Sequence, residues 1–145
     1  MKKWKSSDIL VSAIKGFEGL RTKAYRCPAG VRTIGYGHTG KDVTEGMQIN
    51  EKHAEELLRQ DLVSFEDYVN SLGVAKTQGQ FDALVDFCFN CGSASLRKST
   101  LLRYIKEQKP TEKIQAEFRR WIKSNGKVLA GLVKRREWEA VRWAN

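Results

Sequence analysis

Residues 17–39, FEGLRTKAYRCPAGVRTIGYGHT, decide how the rest of this chain is interpreted. A short amphipathic segment ends at Glu18-Gly19, and a ribbon rich in β-forming residues and glycine follows it. Two turn signals, at residues 28–30 and 37–40, divide that ribbon. We therefore expect a small antiparallel sheet of two or three strands directly after the helix that carries Glu18.

Three side chains of this stretch could act together on a sugar. Eight residues separate Glu18 from Cys27, and five separate Cys27 from Thr33. Glycoside hydrolysis needs a carboxylic acid that protonates the leaving oxygen and a second group on the opposite face of the ring. Each residue also has a plainer explanation: a surface charge for Glu18, a small apolar turn residue for Cys27, and β-propensity for Thr33.

The position of Glu18 favours its protonated form. A helix C-terminus is the negative end of the helix dipole, where a carboxylate is disfavoured. Phe17, Leu20 and Tyr25 could add apolar surroundings, which can raise the pKa of a carboxyl to roughly 6. Cys27 has an ordinary thiol pKa near 8.5, and Arg26 could lower that pKa. The thiolate could then act as a base, as a nucleophile or as a negative charge beside the sugar.

Composition indicates a soluble globular protein with a substantial core. The chain has 145 residues, of which 41% are hydrophobic and 30% charged. Its net charge is +9 and uneven: residues 1–73 carry 11 Lys/Arg and 10 Asp/Glu (+1), whereas residues 74–145 carry 15 and 7 (+8). A cationic half predicts a polyanionic partner. Because the charges are spread over several helices without a recognition motif, we expect no nucleic-acid partner.

Cysteine usage and the start of the chain suggest where the protein matures. Three cysteines argue against a disulfide framework and suit a reducing cytoplasm. The basic start at residues 1–5 resembles the first part of a signal peptide, but the apolar run 9–11 is too short to span a bilayer. We therefore expect no integral membrane segment and a cytoplasmic phase before release to the wall.

The remaining sequence predicts helices and an α+β fold. Ser7 or Asp8 would cap a first helix, Asn50 a long helix to about residue 71, and Thr77 a buried central helix that ends at Cys91. Shorter helices are predicted at about 100–108, 112–123 and 131–143. We expect one domain over 1–145, divided into a β-bearing lobe (about 18–50), the connecting helix (about 50–71) and a helical lobe (about 74–145 plus the first helix). A cleft between the lobes would hold a polymer.

Four segments of the chain resemble the bacteriophage-type lysozymes, the endolysins of glycoside hydrolase family 24. They are residues 17–39, with the run TIGYGH, and residues 82–92, 99–102 and 131–139. The resemblance implies a lysozyme-like fold, mostly helical with a small antiparallel sheet. It also implies that Glu18 is the general acid. Many family members carry Asp and others Cys at the position of Cys27, and the hydroxyl of Thr33 would hold the attacking water or the sugar.

Other residues are candidates for substrate contact or support. Asn90 and Tyr36 could contact an N-acetyl sugar, and Arg136 could reach Glu18, unless Arg135 and Arg136 form a solvated face. We expect His38 to have a structural role, paired with Asp61. The Cys88–Cys91 pair has C-x-x-C spacing but no second ligand pair nearby, so we interpret it as two core residues. Three tryptophans should be core residues: Trp121, Trp138 and Trp143.

The leading interpretation is a muramidase that cuts the β-1,4 bond between N-acetylmuramic acid and N-acetylglucosamine in peptidoglycan. It would act as a monomer without a metal or cofactor, and a separate holin would release it for host lysis. Two alternatives remain open. A lytic transglycosylase would leave 1,6-anhydro ends, and a non-catalytic cationic cell-wall binder would not need Glu18.

Overall fold

The computed structural model describes residues 3–145, which contain seven helices, a three-stranded antiparallel sheet and a two-stranded hairpin. The predicted α+β class, mostly helical with a small antiparallel sheet, is thereby confirmed. Met1 and Lys2, part of the basic start considered above, lie outside the described residues. The elements are α1 (Asp8–Glu18), β1 (Arg21–Arg26), β2 (Arg32–Gly35), β3 (His38–Thr39), α2 (Glu51–Leu72), α3 (Gln78–Cys91), α4 (Ser93–Lys98), α5 (Thr100–Lys106), α6 (Thr111–Arg119), β4 (Lys123–Ser124), β5 (Lys127–Val128) and α7 (Ala130–Trp143).

The chain divides into two compact units. Val11–Val63 form the sheet unit, and the residues up to Leu10 together with Ser64–Asn145 form the helical unit. The predicted single domain and its lobe boundaries stay a prediction.

The sheet unit is built around three short antiparallel strands in the order β1-β2-β3. Thr33 pairs with Tyr25 on one side and with Thr39 on the other. Alternation along β2 puts Ile34 on the opposite face, where it packs in a small core with Val43 and Leu57. The sheet therefore holds one apolar face inside and places the residues around Thr33 in a fixed register.

Side-chain caps fix the starts of three helices. The Ser7 hydroxyl accepts from the Leu10 amide at 3.1 Å, and the Asn50 side chain accepts from the His53 amide at 2.8 Å. Thr77 accepts from the Gln80 amide at 3.1 Å. Each cap satisfies a backbone N–H that the first turn of a helix leaves without a partner.

The helical unit packs around α3. Phe87 is fully buried and meets Phe118 of α6 and Trp121 edge-on, with ring centroids 6.1 and 5.2 Å apart. Trp143 is buried as predicted (4% exposed), whereas Trp121 and Trp138 are half-buried. The two half-buried indoles correct the expectation that all three tryptophans are core residues.

Two further elements of the helical unit differ from the prediction. A six-residue helix, α4, directly follows Gly92, and the expected helix at 112–123 ends at Arg119. The hairpin β4–β5 comes next. Its turn residues Asn125 and Gly126 have φ of 51° and 79°, the left-handed pair that a two-residue hairpin turn requires.

Candidate active site

Glu18 is the last residue of α1, and its carboxylate lies against the turn between β2 and β3. Gly37 occupies that turn with φ of 82°, and a methyl group on its Cα would come within 3.1 Å of Glu18 Oε1. Glycine is therefore needed there both for its backbone conformation and for the space taken by the carboxylate. Glu18 is exposed, and apolar surroundings supplied by Phe17, Leu20 and Tyr25 stay a prediction.

A charged network within the sheet unit fixes the helix that carries Glu18. Lys15 donates to Glu51 at 2.9 Å and also to Glu55. The hydrogen bonds that Lys15 donates to Glu55 and Glu51 raise the pKa of Lys15 well above its ordinary value, so the ammonium stays charged. The sequence analysis missed this role of Lys15. The only available signal was the i, i+4 spacing of Glu51 and Glu55.

Cys27 begins the turn between β1 and β2 and is half-buried. Hydrogen bonds from the backbone N–H groups of Val31 and Ala29 lower the pKa of its thiol, and Thr33 adds a weaker contribution. The Arg26 guanidinium, expected to have this effect, instead donates to the Gly30 carbonyl at 2.9 Å. The turn's own backbone therefore favours the thiolate.

Thr33 is buried in β2 (4% exposed), and its hydroxyl reaches two acceptors. It donates to the Val31 carbonyl at 3.0 Å, and it is within hydrogen-bonding reach of the Cys27 thiol. A hydroxyl has one proton, so it serves one acceptor at a time. The thiol and the hydroxyl are thus brought together, as the sequence pattern predicted.

Tyr36 belongs to the charged network around Lys15. The side chain is buried, 6% exposed, and its hydroxyl donates to Glu51 at 2.9 Å. Burial raises the pKa of this phenol, and the Glu51 hydrogen bond raises it further. Tyr36 therefore supports the Lys15 network from within, and its contact with a substrate stays a prediction.

His38 in β3 lies between two carboxylates. Its Nδ1 is 2.8 Å from Asp61, the partner named from the sequence, and its Nε2 is 3.0 Å from Asp42. Burial lowers the pKa of His38, but the hydrogen bonds to Asp61 and Asp42 outweigh burial, and the pKa is raised overall. Sequence reasoning missed Asp42 as a partner of His38, although Asp42 lies four residues after His38 in a segment rich in turn residues.

In the helical unit, Asn90 lies at the exposed end of α3 beside a cavity of about 380 Å³. The walls include Trp121, Lys123 and Leu132, with Arg136 at the base. This cavity offers an amide, an indole and a cation to a ligand, a mixture of aromatic and polar groups found in many ligand sites.

Arg135 and Arg136 are both buried, with 5% and 1% exposure, so the interpretation as a solvated face is wrong. Arg136 donates to Cys91 Sγ at 2.8 Å and to Glu139 at 2.7 Å. Arg135 forms a buried ion pair with Asp86 at 2.9 Å. These partners lie within the helical unit, and a link from Arg136 to Glu18 stays a prediction.

The remaining cysteines have different surroundings. Cys88 is fully buried, and burial raises the pKa of its thiol to about 12. Cys91 is half-buried against Arg136, so only one member of the pair is a core residue. Within residues 3–145, no group of three His, Cys, Asp or Glu side chains could hold a metal ion. No helix described there is long and apolar enough to cross a bilayer.

The chain is similar to known proteins in family and in sequence. The phage lysozyme family model matches residues 15–139. The endolysin of Bacillus phage B103 is 51% identical over 132 residues, covering 89% of this chain and 50% of that protein. The SAR-endolysin of Bacteriophage PS119 is 38% identical over 125 residues, covering 86% and 74%. The chain spans about half the length of the curated relatives that it matches first.

Among solved structures, the muramidase domain of SpmX from Asticaccaulis excentricus is similar over nearly the whole chain. The TM-score is 0.88 at 39% identity, with 97% of this chain and 98% of that chain covered. The lysozyme-like fold predicted from the sequence is therefore confirmed.

Proposed function

Because this chain belongs to the phage lysozyme family, we propose that it is a peptidoglycan-cutting muramidase with Glu18 as its general acid. The resemblance noted from the sequence is confirmed by the family match, and we propose the glycoside hydrolase activity that goes with it. The bond proposed for cleavage is the β-1,4 linkage between N-acetylmuramic acid and N-acetylglucosamine.

The observation that carries this proposal is the placement of three groups within one unit. Glu18 lies against the β2–β3 turn, while Cys27 and Thr33 meet on the adjoining strand and turn. A carboxyl can protonate the leaving oxygen, and a thiolate can serve the opposite face of the sugar ring. We propose that the Thr33 hydroxyl holds a water or a sugar oxygen beside that thiolate.

Cys27 is proposed to act as its thiolate, because the turn's N–H groups lower the pKa of the thiol. The supporting side chains have separate tasks. Lys15, Glu51 and Tyr36 hold α1 in place, and Asn90 is proposed to contact an N-acetyl group from the helical unit. We propose no metal or cofactor for the reaction.

The biological setting follows the endolysin relatives. We propose that the protein is a monomer that remains in the host cytoplasm until a separate holin lets it reach the wall. Expression inside a bacterium tests this release step. Lysis should begin only when the inner membrane is permeabilised, and lysis by the chain alone would favour a membrane-release route, as the SAR-endolysin name indicates for that relative.

The activity is tested by digesting purified peptidoglycan with the parent, with Glu18→Gln and with the control Glu56→Gln. Glu56 is a matched control because its carboxylate is exposed and belongs to the same unit. Loss of a general acid lowers kcat by about 10²–10⁴-fold. Mass spectrometry should find reducing N-acetylmuramic ends with the parent and with Glu56→Gln. Anhydro ends would identify a transglycosylase, and undiminished lysis by Glu18→Gln would identify a non-catalytic wall binder.

The role of Cys27 is tested by its pH dependence. If the Cys27 thiolate takes part in the reaction, kcat should fall on the acid side of the profile as the pH passes the lowered pKa of Cys27. Cys27→Asp should keep activity and move that fall in kcat to lower pH, since an ordinary Asp titrates near 3.9. Cys27→Ser should lose most activity, and an unchanged profile in Cys27→Ser would exclude a titrating role.

A further inference from the structure

The sheet unit carries a strongly cationic groove that the proposed chemistry does not use. Between Glu18 and Asp42 the sequence has five Lys/Arg and no Asp or Glu. Three of these cations, Arg26, Arg32 and Lys41, line a groove of about 700 Å³. The sheet therefore concentrates positive charge on the strands that carry Cys27 and Thr33.

The register of the sheet brings two of these cations into opposite positions. Arg26 and Arg32 are direct partners across β1 and β2, and like charges in opposite positions destabilise a sheet. The acidic neighbour Glu45 approaches Arg32 only to 3.9 Å, and its side chain is 89% exposed. Such a pair contributes little neutralisation in water.

The walls of the groove suit an extended polymer. Val31, 46% exposed, gives one apolar wall, and Thr39 offers a hydroxyl beside Lys41. The Arg32 guanidinium presents a forked donor that matches the oxygens of a carboxylate or a phosphate. The Arg26 guanidinium donates from Nη1 to the Gly30 carbonyl and has further N–H donors beyond that bond. The groove thus combines a shallow apolar surface with donors for oxyanions.

We propose that this groove, lined by Arg26, Arg32 and Lys41, binds an oxyanion of an anionic wall polymer. Arg26 directly precedes Cys27, and Arg32 directly precedes Thr33. An anion held by these arginines therefore anchors the polymer beside the catalytic residues. This inference rests on the proposed function for its biological meaning, although binding itself does not require hydrolysis.

The experiment measures binding to insoluble wall by sedimentation at several salt concentrations, in a Glu18→Gln background. Three solids are compared: wall with its phosphodiester polymer, the same wall stripped of phosphate, and chitin as a neutral polymer. The test variant is Arg26→Gln/Arg32→Gln. The matched control is Lys106→Gln/Lys113→Gln, which removes two exposed charges of the helical unit.

We expect the arginine variant to weaken binding to intact wall by about tenfold and to flatten its salt dependence, whereas the control changes binding by less than about threefold. Weakening on intact wall alone identifies phosphate as the oxyanion. Weakening on stripped wall as well identifies the carboxylates of peptidoglycan. Equal weakening by both variants, or weakening on chitin, overturns the proposal.

Folding and function are checked separately. Thermal unfolding of each variant identifies any loss of structure, and Lys41→Gln tests the same groove from a turn rather than a strand. If the parent fails to cleave peptidoglycan but the arginine effect remains, the muramidase proposal fails alone. If the parent cleaves and the arginine effect is missing, the groove proposal fails alone.

Discussion

The sheet unit and the helical unit use their charges in opposite ways. In the sheet unit, Glu18, Cys27 and the cationic groove are at least partly open to solvent. In the helical unit, Asp86 and Glu139 are fully buried, and Arg135 and Arg136 are nearly so. Exposed charges contribute little to stability but are available to a ligand, whereas buried charges must be paired. We therefore propose that the exposed groups of the sheet unit serve the chemistry, whereas the buried charged groups of the helical unit serve stability.

The largest expected effect comes from breaking the buried pair of the helical unit. Asp86 accepts from Arg135 Nε and Nη2, at distances down to 2.9 Å. Asp86→Ala removes the buried carboxylate that is paired with the Arg135 guanidinium, which should cost about 3–5 kcal/mol of unfolding free energy. Urea unfolding compares it with Asp67→Ala, an exposed carboxylate of the same unit.

If Asp86→Ala does not fold, Asp86→Asn keeps the shape and removes only the charge. A loss below about 1 kcal/mol in either variant would mean that the buried pair is replaceable.

His38→Asn tests a pair that lies between these extremes. Removing the imidazole should cost about 1–3 kcal/mol, because the charged hydrogen bonds to Asp61 and Asp42 are lost. Turnover per folded molecule should remain, since His38 has a structural role. A folded His38→Asn protein without turnover would contradict this assignment.

The pH dependence of the His38 contribution has a definite sign. The folded pKa of His38 is raised, so its stabilisation is complete below the unfolded pKa near 6.5. It is lost as pH rises through the raised folded pKa. His38 lowers the pKa of Asp42. The stabilisation that Asp42 contributes is therefore lost as pH falls through this lowered pKa. Unfolding of parent and His38→Asn should therefore differ most in mildly acidic buffer and least in alkaline buffer.

Gly37→Ala tests how closely the sheet unit positions its acid. The left-handed backbone costs an alanine about 1–2 kcal/mol, and the new methyl would press on Glu18 Oε1. Gly46→Ala is the matched control, because its φ is 78° with no atom near the added methyl. Both should lose similar stability, but only Gly37→Ala should lose kcat, by about tenfold or more. Equal activities would mean that Glu18 has room to move.

The sequence predicted the elements that carry strong local signals. The sheet, α2 and α3 follow from turn residues, caps and periodicity within a few neighbouring positions. The hairpin β4–β5 was missed because each strand has only two residues, which is too short for any alternation. Asn125-Gly126 was interpreted only as a break between helices, although this dipeptide is also a hairpin signal.

The candidate site was predictable in its residue types but not in its surroundings. Backbone N–H groups lower the pKa of Cys27, and a sequence does not display where such groups point. The burial of Arg135 depends on Asp86, which lies 49 positions away in the chain. Long-range pairing therefore decides whether a charged run is a solvated face or part of a core.

The smallest expected effect comes from replacing Glu139, a buried carboxyl of the helical unit. Burial raises the pKa of Glu139 well above its ordinary value, and the neighbouring Asp86 raises it further. Burial therefore favours the protonated form of Glu139, whose carboxyl Oε2 accepts from Arg136 at 2.7 Å. Glu139→Gln keeps that acceptor and should change the unfolding free energy by less than about 1 kcal/mol near pH 4.

The pH dependence of Glu139→Gln distinguishes a protonated from an ionised carboxyl. A raised folded pKa means that the parent loses stability as pH rises above the unfolded value near 4.3, whereas glutamine does not. The unfolding free energy of Glu139→Gln should therefore increase relative to that of the parent as the pH rises. The unfolding free energy of the control Glu137→Gln should instead decrease relative to that of the parent as the pH rises, because Arg119 lowers the pKa of the exposed Glu137 carboxyl. A loss of several kcal/mol in Glu139→Gln at every pH would instead make Glu139 the ionised partner of Arg136.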